Sequence, residues 1–182
     1  MGRDVGLSAA MKSIHLLRHA KSSWKEPELD DHDRPLSKRG RRAATALSDY
    51  LQRSPLAPDI VICSSAVRAR QTLDIIGTAI QPPKVVMDRA IYEAGPRKLL
   101  TLLRQLPESA EGVLLIGHNP ALHELAVTLA DVKSAGKLPS LSEKFATAAL
   151  ASFRFDGSWA AMQAHQAAVI SYLAPADIKD AT

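Results

Sequence analysis

Residues 13–24 read SIHLLRHAKSSW. Ile14, Leu16 and Leu17 make a short apolar run of the kind buried in a parallel sheet, and the run ends abruptly in Arg18 and His19. A cation and a titratable ring are costly to bury, so their place at the end of an apolar strand asks for a reason. In an open parallel sheet ligands sit outside the carboxyl ends of the strands, and this ending therefore marks both a strand and a candidate site.

Working outward, short apolar runs recur near 59–63, 84–87, 112–117, 148–155 and 168–173. Together with 13–18 they predict about six strands. Helical periodicity separates most of them. PLSKRGRRAATALSDYLQ (35–52) offers Ser37 as an N-cap and Ala43, Leu47, Tyr50 and Leu51 on one face. VRARQTLDIIGTAI (67–80) and PRKLLTLLRQL (96–106) repeat the period, and NPALHELAVTLA (119–130) carries Pro120 near its first turn. Strands alternating with helices predict an α/β fold, a three-layer α/β/α sandwich around a mostly parallel sheet. Residues 12–173 form the expected domain, 1–11 an N-terminal extension expected to be flexible, and 174–182 a tail. Residues 132–146, VKSAGKLPSLSEKFA, are expected to be a loop. Met1 and Met11 are both possible translation starts.

Composition narrows the function classes. The chain has 182 residues, 46% of them apolar, enough for one domain with its own core. Its 23 Lys and Arg are interspersed with 19 Asp and Glu, and the net charge of +4 suits an anionic substrate better than nucleic acid. Three Phe, three Tyr and two Trp are too few for a base-stacking platform. The single Cys63, in an apolar run, fits a reducing, cytoplasmic setting. Residues 1–11 lack the apolar centre of a secretory signal, and no run is long enough to span a membrane.

Three predicted strand ends carry unusual side chains. The first ends in Arg18 and His19. The second, CSSAVRARQT (63–72), puts Arg68 in the first turn of the next helix, and the fourth, GVLLIGHNPAL (112–122), ends in His118 and Asn119. Convergence of these ends would gather two guanidiniums, two imidazoles and two helix N-termini, a set suited to a phosphoryl group. A neutral imidazole is a competent nucleophile, and phosphoryl transfer needs mainly positioning and charge neutralisation, so no metal or organic cofactor is required by this set.

LLRHAKSSW (16–24) resembles the RHG motif of the histidine phosphatase superfamily, the phosphoglycerate mutase-like proteins. DRPLSKRGRRAA (33–44), CSSAVRARQT and LLIGHNP (114–120) fall where its later motifs fall. The branch it looks most like is that of the small phosphohistidine phosphatases of the SixA type. The resemblance covers about residues 12–173. It implies a phosphoglycerate mutase-like sheet that is parallel except for one strand, with no metal or cofactor. It also implies His19 as the phosphorylated nucleophile, Arg18, Arg68 and His118 as the phosphate pocket, Ser22 near the phosphate, and Asn119 as a backbone donor. Ala20 replaces the motif glycine, and Lys25 stands where mutase-type relatives have Asn. Glu93, in IYEAG (91–95), falls at the spacing of the general acid of ester-hydrolysing relatives, whose lid motif is absent here.

Other polar residues have plainer readings. His15, inside the first strand, is expected to be a hydrogen-bonded structural histidine. His123 lacks the second histidine of a zinc-protease helix. DDHDRP (30–35) lacks the glycine of a calcium loop and is expected to be an exposed polar loop that Arg34 helps to fix. His165 is expected at the surface.

The expected activity is a metal-independent phosphatase working through phosphohistidine on His19 and acting on phosphohistidine in a partner protein, as a monomer that binds neither nucleic acid nor membrane. A phosphatase for a small ester such as a sugar phosphate is the alternative. A noncatalytic phosphate-binding module is the third reading, and the pairing of His19 with His118 argues against it.

Overall fold

The computed structural model describes residues 11–136, 141 and 143–179. Six strands, β1 (Met11–Arg18), β2 (Ile60–Ser64), β3 (Lys84–Asp88), β4 (Gly112–Gly117), β5 (Leu150–Asp156) and β6 (Ala168–Leu173), form one sheet in the order β3-β2-β4-β1-β5-β6. β1 runs parallel to β4, and β2 runs parallel to both β3 and β4. β5 is antiparallel to β1 and to β6, which makes it the one strand of opposite sense.

The helices are α1 (Lys38–Arg53), α2 (Val67–Ile80), α3 (Pro96–Arg104), α4 (Ala121–Leu129), α5 (Val132–Ala135) and α6 (Pro175–Lys179). Their starts follow local chemistry. Ser37 Oγ accepts from the Gly40 N–H at 3.0 Å and caps α1, and Pro96 occupies the first turn of α3.

Strand alternation sorts the core into two layers. Val113 and Leu115 of β4 pack with Ile14, Leu16, Ile60 and Ile62 against Leu99 and Leu103 of α3 and Leu122, Leu125 and Leu129 of α4. Leu114 and Ile116 turn the other way, joining Leu17, Val61 and Cys63 against Leu47 and Leu51 of α1 and Leu73, Ile76 and Ile80 of α2. The product is an α/β/α sandwich with a phosphoglycerate mutase-like, mostly parallel sheet.

Two peripheral segments differ from the sequence expectation. Residues 174–179, expected as tail, include α6, whose Ile178 is buried against the α1/α2 layer. Within 132–146, expected as loop, α5 forms, and Leu141 and Phe145 are buried in the α3/α4 layer. Both segments are short and polar, so local periodicity is weak and a few apolar anchors decide their place. The expected flexible extension lies outside the described residues except for Met11, which opens β1.

Candidate active site

β2, β4 and β1 are adjacent in the sheet, and their carboxyl ends deliver the three sequence motifs to one cleft. It measures about 430 Å³ and is lined by Arg18, His19, Ser22, Asp31, Arg68, Tyr92, His118 and Asn119.

His19 is held from both sides of its ring. Its Nδ1 lies 2.7 Å from the Ala20 carbonyl oxygen, which can only accept, so Nδ1 carries the proton. Arg68 Nε donates to His19 Nε2 at 3.3 Å, and a guanidinium can only donate, so Nε2 presents its lone pair. Burial, followed by the nearby Arg68 and Arg18 charges, pushes the His19 pKa down to about 4 against a raising effect of the Ala20 hydrogen bond. The ring is therefore neutral at pH 7, with its basic nitrogen facing the cleft.

The backbone beneath this ring is fixed by three neighbours. The Ala20 N–H donates to Thr72 Oγ1 on α2 at 3.1 Å, and Thr72 Oγ1 donates to the Arg68 carbonyl at 2.7 Å. Lys21 C=O accepts from the Ser37 N–H and hydroxyl at 2.9 and 3.0 Å. Ala20 is fully buried, and among the described non-glycine residues positive φ occurs at Gln81, Ala148 and His165, so Ala20 replaces the motif glycine without a left-handed backbone.

His118 faces His19 with ring centroids 4.7 Å apart. Arg68 Nη2 donates to its Nδ1 at 3.4 Å, which leaves Nε2–H to donate to Ser64 Oγ at 2.7 Å. Burial, then His19 and Arg68, lowers its pKa to about 3. Two neutral imidazoles beside two arginines leave the cleft's positive charge to Arg18 and Arg68. Arg18 Nη1 donates to the Phe145 carbonyl at 2.8 Å, while its buried Nε has no hydrogen-bond partner among the described residues. Asn119 Nδ2 donates to the same carbonyl at 3.0 Å, and its buried Oδ1 has no partner among the described residues. Phe145, from the segment expected to be an open loop, thus anchors two cleft residues through its backbone.

The structure adds residues that the sequence did not single out. Asp31, in the DDHDRP segment expected to be an exposed loop, lines the cleft. Its carbonyl accepts from Arg68 Nη1, and its Oδ2 accepts from Arg68 Nη2 at 2.9 Å and from the Tyr92 hydroxyl at 2.7 Å. The Tyr92 bond first, and then Arg68, holds the Asp31 carboxyl below its ordinary pKa. Tyr92 also stands edge-on to His118, with centroids 5.3 Å apart. Spacing alone could not distinguish Asp31 from its acidic neighbours, because only the fold brings Arg68 to it. Glu93 differs from its sequence-based expectation: it is exposed and lies outside the cleft lining. At the turn after β3 it is the preceding residue, Tyr92, that the backbone aims at His118. His15 behaves as expected, with Nδ1 2.9 Å from Ser152 Oγ.

The profile of the histidine phosphatase superfamily (branch 1) matches residues 14–99. An uncharacterised protein of Mycobacterium tuberculosis is 35% identical over 161 residues, covering 87% of this chain and 99% of its own. The chain belongs to the histidine phosphatase superfamily. Among solved structures, a candidate phosphohistidine phosphatase SixA from Nakamurella multipartitia superposes with a TM-score of 0.78 at 29% identity, covering 92% of this chain and 98% of that one. A second SixA candidate, from Agrobacterium tumefaciens, gives 0.75 at 27% identity, covering 90% and 98%. In this superfamily member the motifs read from the sequence at 16–24, 63–72 and 114–120 each contribute residues to the cleft lining, and the one at 33–44 supports the loop after His19 through Ser37. No helix among the described residues is long and apolar enough to cross a membrane.

Proposed function

We propose that this histidine phosphatase removes phosphate from phosphohistidine in a partner protein, with His19 Nε2 as the nucleophile. The observation that carries the reading is the ring's double tether: a proton fixed on Nδ1 by Ala20, and a lone pair on Nε2 held toward the Arg68 guanidinium. In the first step the Nε2 lone pair forms a bond to phosphorus as the phosphorus–nitrogen bond of the substrate breaks, its electron pair staying on the substrate ring, which takes a proton from solvent and leaves as neutral imidazole. Water then attacks phospho-His19 and gives up a proton to solvent as the bond to Nε2 breaks, releasing phosphate and restoring the free ring. Arg18 and Arg68 neutralise the phosphoryl oxygens, and the neutral His118 positions the Arg68 guanidinium by accepting from its Nη2.

The leaving group favours phosphohistidine over an ester. An alkoxide needs a proton from an acid, whereas imidazole leaves far more readily. The carboxyl in the cleft, Asp31, is held in its charged form by Tyr92 and Arg68 and is a poor proton donor at neutral pH. The likeness to the two SixA candidates supports the same substrate class.

Rapid mixing with a labelled phosphohistidine peptide, followed by an alkaline quench, is expected to trap phosphate on His19. His19→Ala is expected to reduce turnover by at least about 10³-fold while tungstate or phosphate binding persists through Arg18 and Arg68. Label on Ser22 or Cys63 would overturn the mechanism.

A further inference from the structure

A second cavity, about 630 Å³, opens from the nucleophile and shares Arg18, His19 and Ser22 with the catalytic cleft. Its remaining walls come from the segment after β1, the start of α1, residues 144–147 before β5 and the start of α6. Its charge is one-sided. Lys21, Arg39 and Lys144 join Arg18 in the lining, and no Asp or Glu does. The three outer cations are exposed and form no salt bridge with a described residue. Elsewhere the chain intersperses its charges, with 23 basic and 19 acidic residues, so a groove with four cations and no carboxylate is a local concentration.

The rim carries a second signal. Trp24 is 70% exposed, and the Arg34 guanidinium carbon lies over its ring, 3.3 Å from the centroid. A large aromatic side chain in contact with a cation beside an active site, yet left in solvent, has the character of an interface anchor. The groove exceeds the volume of the catalytic cleft, and beyond the shared Arg18, His19 and Ser22 its lining is separate from that of the cleft.

We propose that this groove docks a carboxylate-rich face of the phosphorylated partner protein, aligning its phosphohistidine with His19. The proposal rests on the phosphohistidine reading above and adds the partner's surface chemistry. Exposed charge pairs contribute modestly one by one, but a one-signed groove raises encounter rate and selects among partners.

The test uses phosphohistidine peptides flanked by Asp and Glu or by Ser and Gly, with phosphoramidate as a substrate too small to reach the groove. Wild-type protein is expected to favour the acidic peptide by about tenfold in kcat/KM at low salt, and the preference should shrink as salt rises. Arg39→Glu and Lys144→Glu combined are expected to remove most of the preference through KM, leaving phosphoramidate hydrolysis within about twofold. Equal wild-type rates on both peptides, or an equal loss on phosphoramidate, would overturn the groove. The substrate reading fails separately, if neither phosphohistidine peptide is turned over while a sugar phosphate is. In that case binding of the unphosphorylated acidic peptide decides the groove: tighter binding to wild type than to the double variant supports it, and equal binding overturns it.

Discussion

At the scale of the residue, the chemistry of the site is set by which nitrogen of each imidazole holds the proton. A carbonyl that can only accept and a guanidinium that can only donate fix His19 in one tautomer, and Arg68 and Ser64 do the same for His118. Arg68 is the common partner, and it also meets Asp31 through both backbone and side chain. The side chain at the expected acid position is different in kind, since Glu93 is exposed and outside the lining. Glu93→Gln is therefore expected to leave both aryl phosphate and phosphoramidate hydrolysis within about twofold of wild type. A selective loss on esters with poor leaving groups, in steady-state rates across a leaving-group series, would return the acid role to Glu93.

At the scale of the element, the start of α1 positions the nucleophile's loop from below. A Cβ built on Gly40 would stand 2.1 Å from the Lys21 carbonyl oxygen and 3.0 Å from the Lys21 backbone N and C, all main-chain atoms two residues beyond His19. Helix and loop can meet this closely only without a side chain. Gly40→Ala is expected to destabilise the protein by about 2 kcal/mol or more and to depress kcat, because relief of the clash moves the loop. Ser37→Ala, which removes the cap, is expected to cost about 1 kcal/mol. Urea unfolding with parallel assays checks both, and an unshifted midpoint in Gly40→Ala would show that the contact is not maintained. At the other end of the chain α6 is held by Ile178 in the α1/α2 layer. Ile178→Ala is expected to cost about 2 kcal/mol, whereas a tail without tertiary contacts would show no change in midpoint.

At the scale of the whole molecule, burial of three imidazoles couples stability to pH. Desolvation lowers His15 and His19 to about 4 and His118 to about 3, against 6.5 for an exposed ring. Below pH 6.5 the unfolded chain binds protons that the folded chain refuses, so these groups favour folding above that pH and their contribution is lost as pH falls toward 4. The urea midpoint is expected to decline steadily between pH 7 and pH 4.5. A triple variant, His15→Asn, His19→Asn and His118→Asn, is expected to flatten that decline, and an unchanged slope would assign it to other groups.

The sequence by itself determined the alternation of strands and helices, the Ser37 cap, and the residues Arg18, His19, Arg68 and His118, because each is written in a local pattern: an apolar run, a helical period, a cap, or a polar side chain at a strand end. Tertiary structure alone decided the rest. The order β2-β4-β1 depends on long-range pairing, and it is this order that brings three motifs to one cleft. Asp31 stands out from the acidic loop around it only because α2 carries Arg68 to it, and Tyr92 rather than Glu93 lines the cleft because the turn after β3 sets it against His118. Lys21, Arg39 and Lys144 form one groove because the loop after β1, the start of α1 and the approach to β5 meet there. Local patterns follow from the chemistry of neighbouring residues in the chain, whereas these contacts join segments tens of residues apart, and only the packed sheet fixes which side chains meet.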